Sequence, residues 1–207
     1  MLRIIFFLSL FFFQVKAFAL IEVDITRGNL NPLPIAVSPL SIDESSKQSF
    51  KKILKKKDIG SEISIVVENN LKASGLFNPL NKDAFLQAPD IANLKPRFED
   101  WNLIKAQALI TGKVSFVDDK LRVEFRLWDV LAGKEMMALA FTTVPTNWRR
   151  VGHIISDKVY ERLTGEKGYF DTRIIYVAEE GPKTQRIKKL AIMDQDGANN
   201  KFLTLGN

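Results

Sequence analysis

Few side chains in this 207-residue chain are of the kinds that perform chemistry, and their spacing decides what they can do. There is one histidine, His153, and there is no cysteine. His153 lies among Trp148, Val151, Ile154, Ile155, Val159 and Leu163, whose three-to-four-residue period predicts a helix. It has no second histidine, thiol or Ser-rich turn to complete a nucleophile–base relay or a metal centre, so it reads as a partly buried polar residue. Asp194 and Asp196, in Asp194-Gln-Asp-Gly197, have the spacing that opens a calcium loop. The Glu such a loop needs at its twelfth position is missing, and Asp before Gly favours a tight turn for backbone reasons alone. Glu124 and Arg126 alternate with Val123, Phe125 and Leu127 and read as solvent-facing cross-strand pairs. No catalytic residue, cofactor-binding residue or metal ligand is therefore expected. Function is expected to lie in what the chain holds rather than in what it converts.

The other chemically suggestive stretch is Ser41–Lys57, polar at first and then basic through Lys51, Lys52, Lys55, Lys56 and Lys57. Phe50, Ile53 and Leu54 interleave at helical spacing, which points to the solvated face of a short helix or linker. A nucleic-acid interface is set aside because the N-terminus predicts export. Met1-Leu-Arg3 precedes the apolar run Ile4–Phe13, and Ala17-Phe-Ala19 offers the small-x-small pattern of a cleavage site. A spanning helix needs about 20 apolar residues, and Gln14 and Lys16 interrupt this run first. Residues 1–19 are accordingly expected to be a signal peptide cut after Ala19, leaving no membrane-inserted segment. Its removal takes away Arg3 and Lys16 and lowers the formal net charge from +6 to +4. An exported chain without cysteine must be held by apolar burial rather than by disulfides, and it suits a bacterial periplasm.

The elements that would position these residues can be read from periodicity. Leu20–Arg27 places Ile21, Val23 and Ile25 on one side and Glu22, Asp24 and Thr26 on the other, the pattern of a half-buried strand. Gly28, Asn29, Asn31, Pro32 and Pro34 make a hinge, and a second strand is expected over Ile35–Leu40. A terminal strand on such a hinge can dock on its own domain or add to a partner's sheet edge. Ile59, Ile63, Val66, Val67 and Leu71 predict a helix capped by Asp58 or Ser61 and stopped by Gly75. Leu76–Leu80 reads as a short strand, and Phe98, Trp101 and Ile104 as a short helix. Gln107–Val144 predicts three antiparallel strands turning at Asp118-Asp119 and Ala132-Gly133-Lys134. Thr146 is expected to cap the His153 helix, which Gly165 and Gly168 end. Strands over Thr172–Val177 and Ile187–Met193 flank Gly181-Pro182, so Trp148–Gly197 reads as a joint between two architectures.

Taken together, several segments resemble the TolB family, periplasmic components of the Tol-Pal cell-envelope system. They are Glu22–Gly28, Ser74–Phe77, Phe98–Trp101, Ala106–Gly112, Glu124–Asp129, Asn147–Arg150 and the run from Glu161 to Gly197. The resemblance implies an N-terminal α/β (α+β) domain with a mixed or antiparallel sheet and packed helices over residues 20–168. It further implies the truncated start of a β-propeller over residues 169–207, which would make this chain a fragment. Members of that family are not enzymes. Their N-terminal segment contacts the inner-membrane protein TolA, which would place that role on Leu20, Ile21, Glu22, Val23, Asp24, Ile25, Thr26 and Arg27. Their propeller binds the outer-membrane lipoprotein Pal, through blades that residues 169–207 do not contain. The implied role is maintenance of the outer membrane and its constriction at division. Ser41–Lys57 departs from the family, which usually passes from Pro39 to Asp58 by a shorter link. A reading from another class is an exported propeller hydrolase whose catalytic residues lie beyond residue 207.

Overall fold

The computed structural model describes residues 31–55 and 58–206. The cleavage residues Ala17 and Ala19 and the whole expected arm, Leu20–Arg27, lie outside the described residues.

The alternating run Leu121–Leu127 forms the middle of a meander. Strand β4 (Ala108–Val117) pairs antiparallel with β5 (Lys120–Asp129), which pairs antiparallel with β6 (Lys134–Thr143). Asp118 and Asp119 turn the first hairpin with φ of 48° and 58°, left-handed values that match the twist of paired strands. Gly133, with φ of 63°, turns the second. Along β5, Leu121, Val123, Phe125 and Leu127 are fully buried while Arg122, Glu124 and Arg126 stay toward solvent.

On the other side of β4 the pairing is parallel, so the sheet is mixed. Strand β1 (Leu33–Val37) lies between β4 and β3 (Phe77–Pro79), and β2 (Ser41–Ile42) continues beside β4 beyond β1. The single strand expected over Ile35–Leu40 is thus two short strands, one beginning two residues earlier and the other lying just beyond Leu40. Pro34 joins β1 near its first residue, where a ladder donor is dispensable. Pro39 has no N–H to offer, and the chain detaches at Ser38–Leu40. There Ser64 takes over: its hydroxyl accepts from Leu40 N at 3.1 Å and lies 3.0 Å from the Ser38 carbonyl.

Two long helices cover one face. Helix α1 (Glu44–Leu54) precedes α2 (Ile59–Ala73), whose first turn is capped by Asp58 Oδ1 accepting from Ser61 N at 2.9 Å. Ile59, Ile63, Val67 and Leu71 of α2 meet the buried face of the sheet. The opposite face of the sheet is only partly covered. Helices α3 (Pro89–Leu94) and α4 (Phe98–Leu103) lie in that region, and Trp101, Leu109, Ala36, Ala106 and Val130 form a second, smaller core there. Trp101 Nε1 donates to Gln87 Oε1 at 2.7 Å. The sequence predicts no helix at α3, where Pro89 at its start and Pro96 just beyond its end read as breaks, yet at Pro89 a missing N–H costs nothing.

Helix α5 (Trp148–Thr164) adds Val151, Ile155, Val159 and Leu163 to the main core and packs beside α2, with Gly152 allowing the approach of Val66. Thr146 does not cap it. Pro145 starts a 3-10 turn over Pro145–Asn147, and the chain runs from that turn directly into the helix. Gly165, with φ of 76°, ends the helix as expected. A separate three-stranded antiparallel sheet follows, with β7 (Arg173–Glu180), β8 (Ile187–Asp194) and β9 (Lys201–Phe202) in that order. Among the described residues no helix is long and apolar enough to cross a membrane.

Candidate functional site

Three of the chemically capable residues noted in the sequence, His153, Asp194 and Asp196, converge at the seam between α5 and the turn that follows β8, whereas Glu124 and Arg126 stay on β5 and pair with Arg122 and Glu135. His153 is buried to 2% exposure on α5. Asp194 ends β8, and Asp196 sits in the tight turn that Gly197 completes with φ of 82°. One ligand-type atom from each of His153, Asp194 and Asp196 falls within 4.8 Å of the others. The sequence put His153 and the two acids some forty residues apart, and only folding brings them together.

The hydrogen bonds around the ring decide what this cluster can do. Ser156 Oγ donates to the Gly152 carbonyl at 2.9 Å, so it accepts from Asn70 Nδ2 at 3.0 Å. That fixes the Asn70 amide, whose Oδ1 accepts from Gln195 Nε2 at 2.9 Å. Asn70 Nδ2 then also donates to His153 Nδ1 at 2.9 Å. A ring nitrogen that accepts is unprotonated, and the neutral imidazole therefore carries its proton on Nε2. Nε2 faces Asp196 Oδ2 at 3.8 Å and has no hydrogen-bond partner.

A metal-bound histidine offers a bare nitrogen to the ion and donates its other N–H outward. The arrangement here is the reverse, and Asp196 is already held by the Arg149 guanidinium. The chemistry of the cluster is that of an ionic node rather than of a divalent-cation centre. A general base also has no place here, because Nδ1 is occupied and Nε2 carries a proton. Burial lowers the His153 pKa below its ordinary value of 6.5. The carboxylates of Asp196, Asp194 and Asp171 oppose that effect, and Arg149 reinforces it.

The same seam carries two further arginine–aspartate pairs. Arg150 Nε meets Asp171 Oδ1 at 3.1 Å, and Asp171 raises the Arg150 pKa through that hydrogen bond. Arg173 Nε lies 3.8 Å from Asp194 Oδ1, and Asn199 Nδ2 donates to Asp194 Oδ2 at 2.5 Å. Two adjoining polar clefts of about 400 and 350 Å³ open here, lined by Thr146, Asn147, Arg173, Asp194 and Asn199 among others. Because each of these arginines faces an aspartate, the clefts present no unopposed guanidinium to an anionic ligand. One turn beyond His153 on the same face of α5, Asp157 takes the Phe170 and Asp171 amides at 2.6 and 3.1 Å. Gly168 passes so close to Asp157 that a Cβ there would lie 2.4 Å from its Cα. The seam therefore clamps the connection between the two sheets along one face of α5.

Sequence reasoning found His153, Asp194 and Asp196 but missed Asn70, Gln195 and Asp157. Asn70 and Asp157 belong to no local pattern, Gln195 sits in the Asp194–Gly197 turn with no sign of its partner, and Asn70 and Gln195 are 125 positions apart.

Comparison with known proteins places this arrangement among relatives. A family model described as the TolB amino-terminal domain matches residues 21–136. The chain is 84% identical over its whole length to the Tol-Pal system protein TolB of Pelagibacter ubique (strain HTCC1062), and it spans 46% of that protein. A crystal structure of TolB from Acinetobacter baumannii superposes with a TM-score of 0.66 at 24% identity, covering 89% of this chain and 41% of that one. The chain thus spans about half the length of the relatives it matches, and the solved structure supports the mixed α/β fold.

Proposed function

Because this chain belongs to the TolB amino-terminal domain family, we propose that it acts in the bacterial periplasm as a non-catalytic part of the Tol-Pal cell-envelope machinery. In this reading it links the inner-membrane protein TolA to the outer-membrane lipoprotein Pal, and so serves outer-membrane integrity and constriction at division. The observation that carries the reading is the close kinship to a Tol-Pal system protein along the whole chain. The seam supports it, since its titratable groups are engaged with one another in the manner of a joint.

Within this proposal residues 1–19 are a signal peptide cut after Ala19. Residues 20–168 form the amino-terminal domain and residues 169–207 the first part of a β-propeller. The β7–β9 sheet supports the last assignment. Ile175 and Val177 project from one face and Ile174 from the other, and all three are at least 40% exposed. A strand apolar on both faces suits a sheet stacked between neighbours, as in propellers of about 4–8 four-stranded blades. Pal would then be engaged through blades beyond residue 207. Leu20–Arg27, with its alternating Ile21, Val23 and Ile25, is the segment offered to TolA by strand addition.

A pull-down of TolA's periplasmic domain, with and without residues 20–31, tests the arm. Binding is expected to vanish on deletion, and undiminished capture by the shortened chain would remove the arm from the interface.

A further inference from the structure

The basic stretch that the proposed joint and arm leave unused is an organised surface. Residues 20–207 carry a net +4, and Ser41–Lys57 supplies six lysines against Asp43 and Glu44, which accounts for that entire surplus. The remainder of the chain is balanced. Helix α1 carries Lys47, Lys51 and Lys52 of this set and is fixed by its inner face: Phe50 and Ser46 are buried, Ser46 Oγ accepts from Phe116 N at 2.9 Å, and Phe50 meets the Phe116 ring edge-on at 5.8 Å.

With its inner face pinned to β4, α1 directs the other face outward. Lys47 and Lys51, four apart, share one face of α1, and Lys55 follows at the left-handed cap that ends the helix with φ of 54°, so the lysine row runs over roughly 12 Å at about 1.5 Å per residue. Lys52 stands beside the row, and all four are exposed. Lys47 is paired with Glu44 at 2.5 Å. Lys51, Lys52 and Lys55 have no acidic partner among the described residues.

We propose that the lysine row of α1 is a docking face for an anionic membrane surface, on which the protein rests without inserting. Three features favour a lipid surface over an acidic polypeptide. The cations are all lysines, compact point charges suited to a diffuse field rather than to the bidentate geometry that arginine provides. They stand on a convex helix face, and the clefts described above include none of them. The helix keeps its apolar face for its own core, leaving only Ile53, 47% exposed, at the margin, so adsorption is electrostatic and shallow. Each lysine near an anionic bilayer strengthens attachment roughly fivefold.

Co-sedimentation of the chain lacking residues 1–19 with large vesicles provides the test. Vesicles containing phosphatidylglycerol are expected to carry it down at low salt, and vesicles of phosphatidylcholine alone are not. Raising the salt to about 1 M, where the screening length is about 3 Å, should release it. Reversing the row with Lys51→Glu, Lys52→Glu and Lys55→Glu should cut binding at least tenfold. Neutral replacement of the same three by Gln should weaken it by a smaller factor, with circular dichroism confirming the fold of both variants. Lys72→Glu with Lys95→Glu, an equal number of exposed charges less one on other elements, should leave most binding intact. Equal binding to neutral vesicles would overturn the proposal and assign attachment to the apolar faces of β7–β9. Binding to polyglutamate without binding to anionic vesicles would overturn it in favour of an acidic protein partner. The outcome is independent of TolA capture by the arm, so either result stands whether or not that interaction is found.

Discussion

At the scale of single residues, the behaviour of His153 follows from one amide. Asn70 donates to Nδ1, the proton sits on Nε2, and burial disfavours a second proton. The folded-state pKa is lowered relative to the unfolded chain. Acid therefore draws protons to the unfolded state first. Stability associated with the neutral ring is complete above the ordinary histidine value of about 6.5 and is lost as pH falls through the lowered one. The wild-type chain should lose melting temperature between pH 7.5 and 5.5 more steeply than His153→Gln, each kcal/mol appearing as roughly 2–4 °C. Parallel melting curves for the two across that range would show that the ring does not titrate as its surroundings dictate. The sequence made His153 legible as a polar residue without a catalytic partner. Its surroundings were not legible, because its hydrogen-bond partner Asn70 and the facing carboxylate of Asp196 reach it from elements distant in the chain.

At the scale of elements, periodicity and turn chemistry carry most of the fold. Asp58 caps α2, Gly165 ends α5, and the paired aspartates turn the β4–β5 hairpin where the local residue types require it. What periodicity does not carry is the interruption at Ser38–Leu40, because it depends on α2 approaching from twenty residues further on. Gly60 makes that approach possible: a Cβ there would lie 2.0 Å from the Leu40 carbonyl oxygen. The contact is with backbone on both sides, so the Gly60→Ala chain cannot relax by turning a side chain. Destabilisation of about 3 kcal/mol is expected in urea unfolding. A loss below about 1 kcal/mol would mean that the helix and the interrupted strand separate more easily than their hydrogen bonds through Ser64 suggest. Thr146 fails as a cap for a related reason. Pro145 imposes a tight turn one step earlier, and a prolonged helical entry leaves no cap position for the threonine.

For the whole molecule, two sheets of different character share one chain. The larger is covered by helices, whereas β7–β9 leave Ile175 at 62% and Val177 at 58% exposure. An apolar sheet open in this way invites association between copies. Ile175→Lys combined with Val177→Lys should shift the isolated chain toward monomer in sedimentation velocity at about 50 μM, without altering its melting temperature by more than a few degrees. Identical sedimentation of variant and wild type would place self-association, if any, elsewhere. The strand over Thr172–Val177 was legible in the sequence, but its union with the helices was not, since the seam is made of long-range pairs. That union has a mechanical side. Gln195 bonds Asn70 on α2, Arg149 holds Asp196 in the turn after β8, and Arg150 and Asp157 hold Asp171 and Phe170 in the connector. A force applied to the second sheet would pass through these bonds into two helices seated in the core rather than fall on the short connector alone.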